Sequence, residues 1–117
     1  MLATLKTEEN VSIITLDDGK VNAFSPAMIA EVDLLLDQVP TDKGAVMFTG
    51  REGMFTAGFD LKVMATDPDA AVGMIKSGFK MLQRIFSFPR PVVSACSGHA
   101  IAMGAFLLCS SDYRIAA

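Results

Sequence analysis

The chain has 117 residues, 51% of them hydrophobic and 20% charged, the size of one small domain that can bury roughly 65% of its unfolded surface, which excludes global disorder. Its 10 basic and 13 acidic residues leave a net charge of −3 with no basic stripe, which argues against nucleic acid as a partner. No apolar run approaches the ~20 residues of a membrane span, and Met1-Leu2-Ala3-Thr4-Leu5-Lys6 leads into a strand rather than a signal-peptide core, so the cytosol is the expected compartment.

Leu2 to Thr7 alternates in register with the β-branched run Val11-Ser12-Ile13-Ile14-Thr15-Leu16, which ends at Asp17-Asp18-Gly19; the chain is expected to open as a hairpin. Ser25-Pro26 then supplies an N-cap followed by proline at the first helical position. Met28, Ile29, Val32, Leu35, Leu36 and Val39 recur at helical spacing until Pro40, which predicts an amphipathic core helix. Ala45 to Thr49 reads as a buried strand closed by Gly50. A longer helix starts at Asp67-Pro68, with Val72, Ile75, Phe79, Leu82, Ile85 and Phe86 expected to face the core, and Pro89 and Pro91 stop it. Val92 to Cys96 is the next predicted buried strand, a glycine turn and an apolar helix follow, and Tyr113-Arg114-Ile115 closes the chain as a strand. The order β-β-α-β-α-β-α-β implies an α/β layered fold. No linker, low-complexity tract or repeat divides residues 1–117. Cys96 and Cys109 stand in apolar runs without metal-ligand spacing and are expected to be reduced and buried.

Two glycine turns carry the functional signal. In Ser97-Gly98-His99-Ala100-Ile101-Ala102-Met103-Gly104-Ala105-Phe106-Leu107-Leu108 a β-rich run ends at glycine and restarts as an apolar helix. The first amides of a helix have no intrahelical partner and sit at the positive end of its dipole. Gly53-Met54-Phe55-Thr56-Ala57-Gly58-Phe59-Asp60-Leu61 is a second turn of the same kind before another helical start. Two converging amides would make an oxyanion hole. Gly58 fits a backbone angle closed to residues with a Cβ, and Gly104 fits a close approach of helix to strand; ordinary turn chemistry is the alternative for both.

These segments, with Asp18-Gly19-Lys20-Val21-Asn22-Ala23-Phe24, Pro89-Arg90-Pro91-Val92-Val93-Ser94-Ala95 and Ser111-Asp112-Tyr113-Arg114-Ile115-Ala116, resemble in order and spacing the crotonase (enoyl-CoA hydratase/isomerase) superfamily. The resemblance implies a crotonase/Clp-protease-like spiral of ββα units, an acyl-CoA thioester as ligand, no cofactor beyond the coenzyme A of the substrate, and no metal. It assigns the backbone amides of Phe59 and Met103 as the two oxyanion donors, with Gly58 and Gly104 shaping the turns. Around the first turn, Ala57, Asp60 and Leu61 with Lys20 and Lys62 match the coenzyme A-binding positions. A lysine beside a glycine can equally be a solvated turn residue, and Asp60 can simply cap the helix start. Asp112 is expected to pair with Arg114 or local amides, and His99 to be packed or hydrogen-bonded rather than a general base.

Departures from the pattern narrow the chemistry. Hydratases of the superfamily place a glutamate at the position of Phe106, and phenylalanine cannot move a proton. Superfamily isomerases leave that position apolar, and Asp112-Tyr113-Arg114-Ile115 also looks isomerase-like. The resemblance therefore favours an enoyl-CoA isomerase. Hydratase, thioesterase and a non-catalytic CoA-thioester-binding fragment remain as alternatives. It also implies an N-terminal portion, whose proton-transferring acid lies beyond Ala117, which could leave this chain alone inactive, and a complete protein that assembles as a trimer or dimer of trimers. The second turn is similar, too, to the nucleophile turn of the Clp protease proteolytic subunit. Ala102 stands where that subunit has its serine, so acyl-enzyme peptidase chemistry is not expected.

Overall fold

A computed structural model describes residues 2–116. Strands β1 (Ala3–Glu8) and β2 (Val11–Leu16) form the expected antiparallel hairpin. Its two-residue turn, Glu9 at φ 47° and Asn10 at φ 69°, has the left-handed backbone that matches the twist of paired strands. After β3 (Ala23–Phe24) and α1 (Pro26–Leu36), strand β4 (Ala45–Thr49) pairs parallel to β2. The chain continues through β5 (Gly53–Thr56), β6 (Gly58–Phe59), α2 (Leu61–Thr66) and α3 (Pro68–Phe86) to β7 (Val92–Cys96), parallel to β4. A further crossover, β8 (Gly98–Ala100) and α4 (Met103–Ser110), leads to β9 (Tyr113–Ala116), parallel to β7. The main sheet has the order β1-β2-β4-β7-β9, and β3–β6 and β5–β8 form two small sheets beside it.

Helix α1 starts as its sequence dictates: Pro26 sits in the first turn and the Met28 N–H donates to Ser25 Oγ at 3.1 Å. It ends at Leu36, short of the expected Pro40, although Val39 is still buried through a following turn. Met28, Ile29, Val32 and Leu36 pack with Ile14, Leu16, Val46, Phe48 and Val92 of the main sheet in one core.

Two expectations about burial are corrected. Strands β4 and β7 are buried on one face only. In β4, Val46 and Phe48 are buried while Ala45, Met47 and Thr49 are half-exposed, because helices cover a single side of the sheet. Helix α3 is turned from the orientation its large residues suggest. It buries Ala71, Met74, Gly78, Met81, Leu82 and Ile85, whereas Val72, Phe79 and Phe86 are exposed and Ile75 is half-buried. The helix carries two overlapping apolar stripes, and the one containing Ala71 and Gly78 allows the closer approach.

One buried polar residue ties the hairpin to the small sheets. Asn22 is fully buried at φ 55°, a left-handed conformation that asparagine tolerates better than most residues. Its Nδ2 donates to Leu16 O at 2.8 Å and Phe55 O at 3.1 Å, and its Oδ1 accepts the Asp18 N–H at 3.0 Å. Asn22→Ala strands these groups and should lower the unfolding free energy by roughly 3 kcal/mol in urea denaturation. Asn22→Gly, which loses the same hydrogen bonds but accepts the backbone angle, should be less damaging by about 1 kcal/mol.

Candidate active site

The parallel pairing of β5 with β8 sets the two glycine turns side by side, with Gly53 opposite Gly98 and Thr56 opposite Ala100. Thr56, fully buried, fastens them. Its carbonyl accepts the Ile101 N–H at 3.0 Å, its hydroxyl donates to Asn22 O at 2.7 Å, and the same oxygen accepts the Gly58 N–H at 3.2 Å. The two glycines then act as the sequence suggests. A Cβ on Gly104 would lie 2.7 Å from Thr56 O and 2.8 Å from Thr56 Cγ2. At Gly58 φ is +90°, and a Cβ there would lie 2.8 Å from Ile101 O and 3.2 Å from Met103 N. Backbone meets backbone at this point.

The Phe59 N–H on the first turn and the Met103 N–H on the second are uncommitted, and among the described residues those of Leu61 and Ala102 beside them have no backbone acceptor either. Phe24 lies opposite Phe59 in the parallel β3–β6 pair, yet the Asp60 N–H is the one that reaches Phe24 O, at 3.4 Å. In a parallel ladder this turns the opposed residue's own N–H, that of Phe59, to the other side. On the second turn the N–H groups of Ile101, Gly104, Ala105 and Phe106 all have backbone acceptors, whereas that of Met103 heads α4 with no preceding helical turn to receive it. Ala102, at φ 52° and ψ −113°, has no side-chain capping bond and holds the chain in a sparsely populated conformation there. Two N–H donors on turns in contact at Gly58 can bind an oxygen that gains negative charge, at the positive end of the α4 dipole. Each such donor is worth roughly 3 to 4 kcal/mol to a developing oxyanion.

Beside this lies a cavity of about 420 Å³ lined by residues that include Asp18, Lys20, Val21, Ala57, Phe59, Asp60, Leu61 and Lys62. All five positions matched to coenzyme A binding, Lys20, Ala57, Asp60, Leu61 and Lys62, are thus brought together, while Gly58, Met103 and Gly104 lie outside its lining. Phe59 belongs to both places, with its N–H on the turn and its residue in the cavity wall. Asp60 caps α2, its Oδ1 accepting the Lys62 N–H at 2.9 Å, as the sequence reading allowed. The Lys20 loop is ordered by its own N–H donating to Asp18 Oδ1 at 2.7 Å and by Arg51, whose guanidinium donates to Lys20 O. Among the described residues neither Lys20 nor Lys62 is in an ion pair.

Other expectations are revised. His99 is exposed on β8 rather than packed. Cys96 is half-buried with its thiol donating to Gly98 O at 3.1 Å, and Cys109 is exposed, since α4 buries only Met103, Gly104 and Leu107. Of the two partners expected for Asp112 it is an amide that is found, the Val92 N–H at 2.8 Å, while Arg114 binds the carbonyls of Leu108 and Ser111. The described residues contain no cluster of three or more His, Cys, Asp or Glu able to hold a metal ion. Thr56 and Asn22 escaped the sequence reading. The available signal was a polar residue within each of the two motifs, Asn22 before Ala23-Phe24 and Thr56 two residues before Gly58.

Gly53 and Gly58 separate strain from obstruction. Both have positive φ, +80° and +90°, but a Cβ on Gly53 meets nothing within 4 Å. Gly53→Ala should cost about 1 kcal/mol in chemical denaturation. Gly58→Ala should cost roughly 1 to 3 kcal/mol more, because the methyl is driven against Ile101 O and Met103 N.

The sequence and the fold have known counterparts. The family model described as Enoyl-CoA hydratase/isomerase matches residues 6–117. A probable enoyl-CoA hydratase of Bacillus subtilis is 30% identical over 97% of this chain and 46% of its own length. Enoyl-CoA delta isomerase 3 of Arabidopsis thaliana is 32% identical over 96% of this chain and 50% of its own. The crystal structure of an enoyl-CoA hydratase/isomerase family protein from Pseudomonas syringae superposes with a TM-score of 0.94 at 43% identity, covering 98% of this chain and 50% of that one. The chain spans about half the length of the relatives it matches. A match along nearly every residue, on a fold that superposes just as fully, makes this chain a member of the enoyl-CoA hydratase/isomerase family, in the crotonase superfamily.

Proposed function

We propose that the paired turns form the oxyanion hole of an acyl-CoA enzyme that moves a double bond in an enoyl-CoA. The observation that carries this reading is the contact of the two turns at Gly58, with the Phe59 and Met103 N–H groups left without backbone acceptors. Removal of a proton from the carbon next to a thioester carbonyl puts negative charge on the carbonyl oxygen. Two fixed N–H donors stabilise that charge more than they stabilise the neutral thioester, which lowers the barrier. Returning the proton two carbons further along the dienolate completes the shift of the double bond. The donors are backbone groups on ordered turns, so no reorganisation is needed as the charge develops. Lys20 and Lys62, on the wall of the adjoining cavity, would hold the phosphates and adenosine of coenzyme A, whose affinity would then fall with added salt.

Phe106 separates isomerisation from hydration. It stands where the superfamily's hydratases have a glutamate, its side chain is 51% exposed, and its ring lies 6.1 Å from that of Phe79. An apolar, aromatic wall beside the hole neither carries a proton nor orients a water molecule, and the reaction is left with single-acid chemistry. Asp60 and Asp112 already accept backbone N–H groups. The complete enzyme in this reading is a homo-oligomer. Hydratase relatives such as that of Bacillus subtilis keep water addition as the competing reading.

The test supplies 3-hexenoyl-CoA to the complete enzyme. Growth of the near-ultraviolet band of the conjugated 2-enoyl thioester is the expected result. An unchanged spectrum, or conversion of 2-hexenoyl-CoA to a hydroxyacyl product by mass spectrometry, would overturn the isomerase reading.

A further inference from the structure

Helix α3 contains a glycine that its helical backbone does not require. Gly78 is buried in mid-helix and its φ is not in the left-handed region, so alanine would suit the helix better by the usual propensity ranking. What fills the space of its missing side chain is specific. A Cβ on Gly78 would lie 2.7 Å from Cζ of Phe59 and 3.1 Å from Cε of Met103. Those two residues carry the N–H groups proposed as oxyanion donors. Their side chains therefore rest on one point of α3 while their N–H groups remain free.

We infer that Gly78 is a positioning residue that sets the spacing of the two oxyanion donors by seating the Phe59 ring and the Met103 methyl on the same helix surface. This rests on the proposed function above. The Phe59 ring also meets Phe79, the residue after Gly78, with ring centroids 6.1 Å apart and planes tilted by 55°, and Phe79 is in turn 6.1 Å from Phe106. Met103 is fully buried and heads α4, so its methyl is packed against the same helix that carries its N–H. In this proposal a methyl added at Gly78 pushes on the Phe59 ring and the Met103 methyl together, and the strain is passed to the two turns that carry them. Misplacement of catalytic donors by about 1 Å is enough to lower a rate ~100-fold.

The measurement is the infrared frequency of the thioester carbonyl in hexanoyl-CoA, labelled with carbon-13 at that carbonyl, when bound to the protein. The wild-type protein is expected to lower the frequency from that of free ligand, because both N–H groups donate to the oxygen. Gly78→Ala is expected to lose most of that lowering, and the double variant Phe59→Leu/Gly78→Ala, which withdraws the tip of the ring, is expected to regain it. A merely structural glycine would alter the melting temperature and leave the frequency of bound ligand unchanged. Wild-type frequency in folded Gly78→Ala, or a folded double variant that binds without regaining it, overturns the role of Gly78 alone. If Gly78→Ala does not fold, the double variant decides. No lowering in the wild-type protein overturns the oxyanion hole itself, and the role of Gly78 with it.

Discussion

The site depends on a single fastening. Thr56 holds the Ile101 N–H on its carbonyl and the Gly58 N–H on its hydroxyl, while that hydroxyl donates to Asn22 O. These bonds join the end of β5 to the end of β8 and to the segment after the hairpin. Without them the two turns would be neighbours in a sheet but not fixed to each other. With them, the spacing of Phe59 and Met103 becomes a property of the backbone. A Cβ at Gly58 or Gly104 would break into this backbone contact.

The positions around this fastening share a physical character. Asn22, Ala102 and Gly58 all have positive φ, and each lies next to a segment whose N–H or C=O is redirected. Backbone strain of this kind persists only where surrounding packing over-determines it. The hydrogen bonds of Asn22 and Thr56 and the close approach of Gly104 to Thr56 supply that surrounding structure. The main sheet and its helices form the base on which these turns are held, and α3 reaches both of them through Gly78.

How much of this was legible in the sequence varied with length and period. The hairpin and α1 were legible because six-residue alternation and the Ser25-Pro26 start are strong local signals. Strands β3, β6 and β8 are two or three residues long and carry no period to detect, so they read as turns. The buried face of α3 was misread because large apolar residues outweigh small ones in a periodicity argument. Packing, however, favours the side that contains Ala71 and Gly78. The glycine turns could be found as punctuation between a strand and a helix, and the resemblance then pointed to Phe59 and Met103. The partners that position them, Thr56 and Asn22, act through bonds between segments more than 30 residues apart in sequence, which no local pattern reveals.

The chemistry proposed for this site is that of a thioester oxygen held by backbone rather than by side chains, with an apolar residue, Phe106, in place of a proton carrier. Acetoacetyl-CoA, with its enolisable carbonyl, is the ligand that reports most directly on the hole, and a crystal structure of the protein with it bound tests the central claim. The account predicts the thioester oxygen at about 3 Å from both Phe59 N and Met103 N, with the coenzyme A moiety in the cavity walled by Lys20 and Lys62. A bound ligand whose thioester oxygen is held by a side chain or by solvent, with those two N–H groups unoccupied, would contradict it.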